Sequence, residues 1–241
     1  MKLYLYCISD DPKIAAIEMT EGLCGACPRA VDLGKIKAVV SDVESHEVKV
    51  TRENVLAHER VIDRVMLVTT PLPFRFGAVV TVEQLQSYTE TNETRLQALL
   101  DRVRGAVEMS VKIIWDKDAG GKQSAETTSQ KAGPKNEAST AGPGHAFLLA
   151  KQREMAGEQD LINRAEEIAC WLGQGVAGLV RDKEVRVQPA GRIVVSAAFL
   201  VERERMAQYR ERINALGRER NELRFLTSGA WPPYSFTHLN S

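Results

Sequence analysis

The 241-residue sequence has no run of eighteen apolar residues, so no segment is expected to cross a bilayer as a helix. Its opening, MKLYLYCISDDPK, has a short apolar run with no cleavage-site pattern behind it, which predicts a cytoplasmic chain. No excess of either charge exists: Lys+Arg and Asp+Glu number 32 each, which removes the bulk electrostatic basis for nucleic acid or a lipid membrane as partner. Cysteine is sparse. The four thiols Cys7, Cys24, Cys27 and Cys170 are too few for a disulfide framework in a chain this long and are expected to be reduced. Aromatic residues make up only 6%, yet Trp231, Tyr234 and Phe236 crowd around Pro232 and Pro233 near the carboxyl end, where polar residues would be expected.

What is present is globular in character. Hydrophobic residues at 44% and charged residues at 27% give enough apolar material for a core, and the length suggests two modest domains. The clearest boundary is residues 116 to 145, DKDAGGKQSAETTSQKAGPKNEASTAGPGH, which hold no large apolar side chain. As a flexible linker this segment would span on the order of 30 Å. It divides an amino-terminal α+β domain, 1 to 115, from a carboxyl-terminal one, 146 to 241.

In the first part, LYLYCI (3 to 8) is apolar on both alternating faces, as in a buried central strand, and KIKAVVSDV (35 to 43) reads as another, with a weaker strand near 28 to 33. Val55, Ile62, Val65 and Met66 recur at helical spacing until Pro71 and Pro73 forbid a helix. Thr81 and Gln84 form a capping box before a second helix with Leu96, Leu99, Leu100 and Val103 on one face. Residues 106 to 115 alternate as a half-buried strand assigned to this domain. Beyond the linker, 146 to 172 read as one long or broken helix, with Leu161, Ala165, Ile168 and Leu172 aligned. A hairpin of 185 to 187 and 193 to 201 follows, turning around Pro189, Ala190 and Gly191. Met206, Tyr209, Ile213 and Leu216 draw a stripe on the next helix, and LRFLT (223 to 227) is a last strand. Strand, helix and strand in that order predict a parallel pair with a crossover helix, as in a ferredoxin-like half.

No catalytic signature emerges. Cys24 and Cys27 in CGAC have the spacing of a redox dithiol, but Pro28 and a strand-like stretch follow where a helix would lower the first thiol's pKa. Two reduced cysteines in a glycine-bearing turn are favoured, with a thiol-disulfide redox protein as the alternative. Zinc would require two further ligands, and no second Cys-x-x-Cys or paired histidine motif supplies them. GQGVAG (173 to 178) has the letters of a dinucleotide fingerprint in the reverse context, helix before and strand after, so it reads as a helix termination at Gly173. GGKQS (120 to 124) is no phosphate loop, because Asp116 stands where the first glycine belongs. His58 has no histidine one helical turn away and is expected to be packed and hydrogen-bonded.

The ending, LRFLTSGAWPPYSF, resembles the closing motif of the gas vesicle accessory proteins of the GvpF/GvpL family, typically L-x-L-x-G-P-W-P-P-Y-S-F. Other landmarks agree in order: YLYCI (4 to 8), AVVSDV (38 to 43), the helix and P-x-x-F-G segment within 58 to 80 with Phe76 and Gly77, RVRGAVEMSVKIIW (102 to 115) and AAFLV (197 to 201). Ala230 replaces the usual proline before the tryptophan. The resemblance implies a non-enzymatic assembly factor or minor gas vesicle component without cofactor. Its implied partners are the hydrophobic major shell protein, whose aggregation it would limit during nucleation, and other accessory proteins. Trp231, Pro232, Pro233, Tyr234 and Phe236, with Phe76 and Gly77, then have two roles open to them. They seal the chain's own core or domain junction, or they touch the shell protein.

Overall fold

Strand β1 (Lys2–Ser9) is apolar at almost every position because both of its faces are covered. This is a computed structural model, and it describes residues 2–19, 21–115, 143–188 and 193–237. β1 lies inside an antiparallel sheet with β2 (Arg29–Leu33), β3 (Ile36–Val43), β4 (Leu72–Pro73) and β5 (Val79–Thr81), ordered β2-β3-β1-β4, with β5 also on β1. Tyr4 and Tyr6 join the core of helix α1 (Arg52–Met66) through Val61, Ile62 and Val65. Leu3, Leu5 and Ile8 join that of helix α2 (Val82–Val103) through Leu85, Leu96 and Leu100. Period-two alternation, interrupted by a bulge between Leu5 and Cys7, thus puts these side chains against one helix or the other, and neither set meets water.

Both helices start where the sequence signals a start. The Thr51 side chain accepts from Asn54 N, and at α2 the expected capping box forms, with Gln84 N donating to Thr81 Oγ1 and Thr81 N donating to Gln84 Oε1. Each cap removes orphan N–H donors from the first turn.

The second sheet contains β6 (Ala106–Trp115), β7 (Asp182–Val187), β8 (Ile193–Glu202) and β9 (Leu223–Trp231) in the order β7-β8-β6-β9. Here two expectations are corrected. β6, assigned from sequence to the amino-terminal domain, pairs on both edges with strands from beyond the linker. Its alternation signalled a strand but carried no information about its neighbours, and Ala106 and Glu108 on its supposedly open face are buried. β8 and β9, expected to be adjacent and parallel, do share a direction, but β6 lies between them and is antiparallel to both.

Helix α3 (Pro143–Gly175) buries Ala165, Ile168 and Leu172 against this sheet, and helix α4 (Met206–Glu219) buries Tyr209, Ile213 and Leu216. Leu161, expected on the same stripe, is exposed. α3 also runs past Gly173, the expected stop, to Gly175. A Cβ on Gly175 would lie 2.7 Å from both methyls of Leu216, so the glycine allows α3 and α4 to approach closely. Arg212 Nε donates to Gly175 O at 2.9 Å, supplying a partner for a terminal carbonyl. Of the expected linker, 116 to 142 lie outside the described residues and 143 to 145 belong to α3; Pro189, Ala190 and Gly191 also lie outside them.

The two sheets share their cores. One cluster unites Tyr4, Tyr6 and Val61 with Val107, Phe199 and Leu216; the other unites Leu3, Leu85 and Leu100 with Ala106, Leu200 and Phe236. Polar ties reinforce the junction: Arg203 Nη2 donates to Met66 O at 2.8 Å, and Thr70 Oγ1 donates to Ala106 O at 2.9 Å.

Candidate partner-binding surface and the carboxyl-terminal clasp

Two motifs far apart in sequence meet at one histidine. α1 turns His58 inward with Ala57, Val61 and Ile62, leaving it 2% exposed. Its Nε2 lies 3.2 Å from Phe74 O, which can only accept, so the ring proton resides on Nε2. Nδ1 then accepts from the Tyr4 hydroxyl at 2.9 Å, while that hydroxyl accepts from Gly77 N at 3.2 Å. Tyr6 stacks on the ring at 5.6 Å, and Phe76 meets it edge-on at 5.8 Å. Burial holds the imidazole neutral, pushing its pKa down to about 4, and pushes the Tyr4 phenol up to about 12. The expectation of a packed, hydrogen-bonded histidine is met, and no groups of three or more metal-ligating side chains that could hold an ion occur among the described residues.

The tail arrives at the same place. After β9 the buried Pro232 and Pro233 carry the chain inward, and the Tyr234 hydroxyl comes within 3.4 Å of His58 Nε2. Ser235 donates twice to the Glu108 carboxylate, through N and Oγ, each at 2.8 Å. Phe236 is buried at 2% exposure, with the Arg102 guanidinium 5.7 Å from its ring centroid and Arg102 Nη1 donating to its carbonyl at 3.3 Å. Phe76, Tyr234 and Phe236 therefore pack within the chain, around the boundary of the two sheets, while Gly77 is exposed and contributes its N–H to Tyr4. Sequence reasoning missed Glu108 and Arg102, because a charged residue beside an apolar run carries no local signal of what will pack on it.

Trp231 behaves differently. It is the last residue of β9, is 48% exposed, and donates Nε1–H to its near neighbour Ser228 Oγ at 3.2 Å. Of the two roles left open, its ring does not take that of sealing the core with Phe236: the extra β9 residue between the pairs Ser110 with Ser228 and Glu108 with Trp231 puts Trp231 on the face of Leu226 and Ser228, not on that of Leu223 and Phe225. Leu226 on the same strand is 43% exposed. Among the described residues β9 pairs only with β6, so it is an edge of its sheet, and no charged side chain lies between Phe225 and Trp231. The opposite edge, β7, carries Asp182, Lys183, Glu184 and Arg186, the usual protection against stray pairing.

Cys24 and Cys27 are exposed and not disulfide-bonded, and Cys24 sits in a three-residue 3-10 turn at φ 52° that leads towards β2. A catalytic dithiol would need the N–H groups of a helix start at the first thiol, and this turn offers none. The redox alternative gains no support. Cys7 is fully buried, and its thiol pKa is raised by loss of solvent.

The family model described as "Gas vesicle synthesis protein GvpL/GvpF" matches residues 2–238. The chain belongs to the GvpL/GvpF family. Similar curated proteins include gas vesicle protein F of Nostoc sp., 25% identical over 99% of this chain and 98% of that one, and gas vesicle protein L of Streptomyces sp., 26% identical over 98% and 92%. Among solved structures, gas vesicle protein GvpF from Anabaena sp. superposes with a TM-score of 0.80 at 22% identity, covering 100% of this chain and 97% of that one. GvpF from Microcystis aeruginosa gives 0.75 at 18%, covering 99% of each. These superpositions establish the shared α+β fold. No helix among the described residues is long and apolar enough to cross a membrane.

Proposed function

We propose that this chain is a non-enzymatic gas vesicle assembly factor of the cytoplasm that binds the hydrophobic major shell protein and limits its aggregation during nucleation. The observation that carries this reading is the family match from residue 2 to 238, shared with relatives named gas vesicle protein F and L. The physical need is plain: a subunit with a large apolar face associates indiscriminately until it reaches the wall, because exposed apolar patches of more than a few hundred Å² drive association. Other accessory proteins of the same system are further expected partners.

A second proposal concerns architecture. The order β6-α3-β7-β8-α4-β9, with strands arranged β7-β8-β6-β9, supports a ferredoxin-like unit from about residue 106 onward, and residues 2–103 make the other domain.

Co-expression with the major shell protein tests the first reading. The shell protein should remain in the supernatant and co-purify with the full chain. Equal precipitation with and without the chain would remove the proposal. Retention of the chain on washed vesicles would make it a wall component as well as an assembly factor.

A further inference from the structure

The outward face of α1 carries apolar side chains open to solvent. Leu56 is 41% exposed, and Leu67, the C-cap residue that continues the helical conformation, is 75% exposed. By contrast, α2 and α4 expose no large apolar side chain among the described residues. At about 100° and 1.5 Å per residue, Leu56 and Leu67 are separated by about three turns, so they stand on one ridge roughly 16 Å apart. The apolar ground continues past Leu67: Val68 is 41% exposed and, with Ala16 and Ile17, lines a cleft beside it.

Charge is sorted about this ridge. By the same helical geometry Glu59 and Asp63 fall to one side of the line between the leucines, and Arg60 and Arg64 fall to the other. All four are exposed and none makes an ion pair among the described residues, although Arg60 and Asp63 are close enough in sequence to form one. Elsewhere the chain pairs its arginines internally, as Arg104 with Asp10 and Arg212 with Glu219. On α1 each row instead sets like charges at i and i+4, which weakens an isolated helix.

An acidic row, an apolar ridge and a basic row side by side are complementary to a second copy of themselves. A twofold axis parallel to α1 turns the acidic row of each copy onto the basic row of the other, and each leucine onto its own counterpart. A twofold axis across α1 would make the helices antiparallel and lay acid on acid and base on base. Only the parallel arrangement is attractive on both flanks, in the way that flanking charges fix orientation between the helices of a coiled coil.

We propose that two copies of this chain associate through the outer faces of α1, with the helices parallel. Leu56 and Leu67 each meet their counterparts, and Glu59 and Asp63 of one copy face Arg64 and Arg60 of the other. One helix of 15 residues is too short for a permanent interface of about 1,600 Å², so the association is reversible and salt-sensitive. The inference makes no use of the shell protein and stands or falls separately from the function proposed above.

Sedimentation equilibrium of the full chain at low salt, up to about 1 mM protein, should show a monomer–dimer equilibrium that weakens as salt is added. Arg64→Glu opposes like charges across the twofold axis and should raise the dimer Kd at least about tenfold. The exchange Glu59→Arg with Arg64→Glu restores opposite charges at that place and should return Kd to within about threefold of the parent. Both variants should melt close to the parent because the positions are exposed, which separates lost association from lost folding. Orientation is read by cross-linking in a chain carrying Cys24→Ser, Cys27→Ser and Cys170→Ser. There Leu56→Cys and Leu67→Cys should each oxidise to a disulfide-linked homodimer. A chain that stays monomeric throughout, an Arg64→Glu variant that dimerises as tightly as the parent, or an exchange variant no tighter than Arg64→Glu overturns the proposal. Cross-linking only when the two single-cysteine chains are mixed overturns the parallel arrangement and the charge argument with it.

Discussion

At the scale of single residues, His58 shows how burial turns an ordinary side chain into a condition on the fold. Its pKa of about 4 lies below the unfolded value of about 6.5, so the unfolded chain binds the extra proton first as pH falls. The stabilising contribution of the neutral imidazole is complete above about pH 6.5 and is lost progressively down to about pH 4, roughly 3 kcal/mol in all. Urea unfolding at several pH values should show this loss in the parent chain, and His58→Gln should flatten the profile over that window. The aromatic pair in the tail gives a contrast of a different kind. Phe236→Ala should cost about 3 to 5 kcal/mol because the ring is inside the shared core, whereas Trp231→Ala, with nearly half its surface already in water, should cost less than about 1 kcal/mol. Thermal denaturation of the two variants checks both values. Equal losses would mean that Trp231 is part of the clasp after all.

Among elements, β9 is tightly constrained at Gly229. Gly229 adopts φ +121°, and a Cβ there would come within 2.7 Å of Glu108 O on the neighbouring strand. Neither the angle nor a backbone neighbour can yield cheaply, so Gly229→Ala should destabilise by at least about 2 kcal/mol and disturb the Glu108 contact to Ser235. Chemical denaturation and the exchange rate of the Ser235 amide report on the two effects. The helix starts carry smaller values: removing the α2 cap with Thr81→Ala should cost about 1 kcal/mol. These elements were the part most legible in the sequence. The capping box, the double-sided apolar pattern of β1 and the stripe on α4 are local signals, and each produces its element whatever surrounds it. β6 was legible as a strand and illegible as a neighbour, since alternation is the same for every possible partner.

For the whole molecule, the sharing of both apolar clusters between the sheets makes independent unfolding of either sheet expensive. Exposing the first sheet would uncover Val107, Phe199 and Leu200 as well as its own residues. Amides in β1, β3, β6 and β8 should therefore exchange with one common opening free energy, despite the domain division that the linker suggests. A markedly lower value for β1 and β3 alone would mean that the two units unfold separately. Glu108 is the polar counterpart of this coupling: Glu108→Ala leaves Ser235 N without its carboxylate and should free residues 232–237 to proteolysis before the rest of the chain.

By itself the sequence determined the local elements, the balance of charge, the absence of a metal or nucleotide motif and, through WPPYSF with its companion landmarks, the family. Those properties depend on residue identity and short-range spacing, which a linear string carries in full. Only the tertiary structure decided that β6 completes the second sheet, that Phe76 and Tyr234 converge on His58 while Gly77 holds its Tyr4 partner, and that Trp231 is half exposed while Phe236 is buried. Such facts arise from contacts between residues as far apart as 58 and 234, and no local propensity specifies them. Burial then sets the chemistry: the same imidazole that would titrate near neutrality in a peptide is held neutral here by its neighbours.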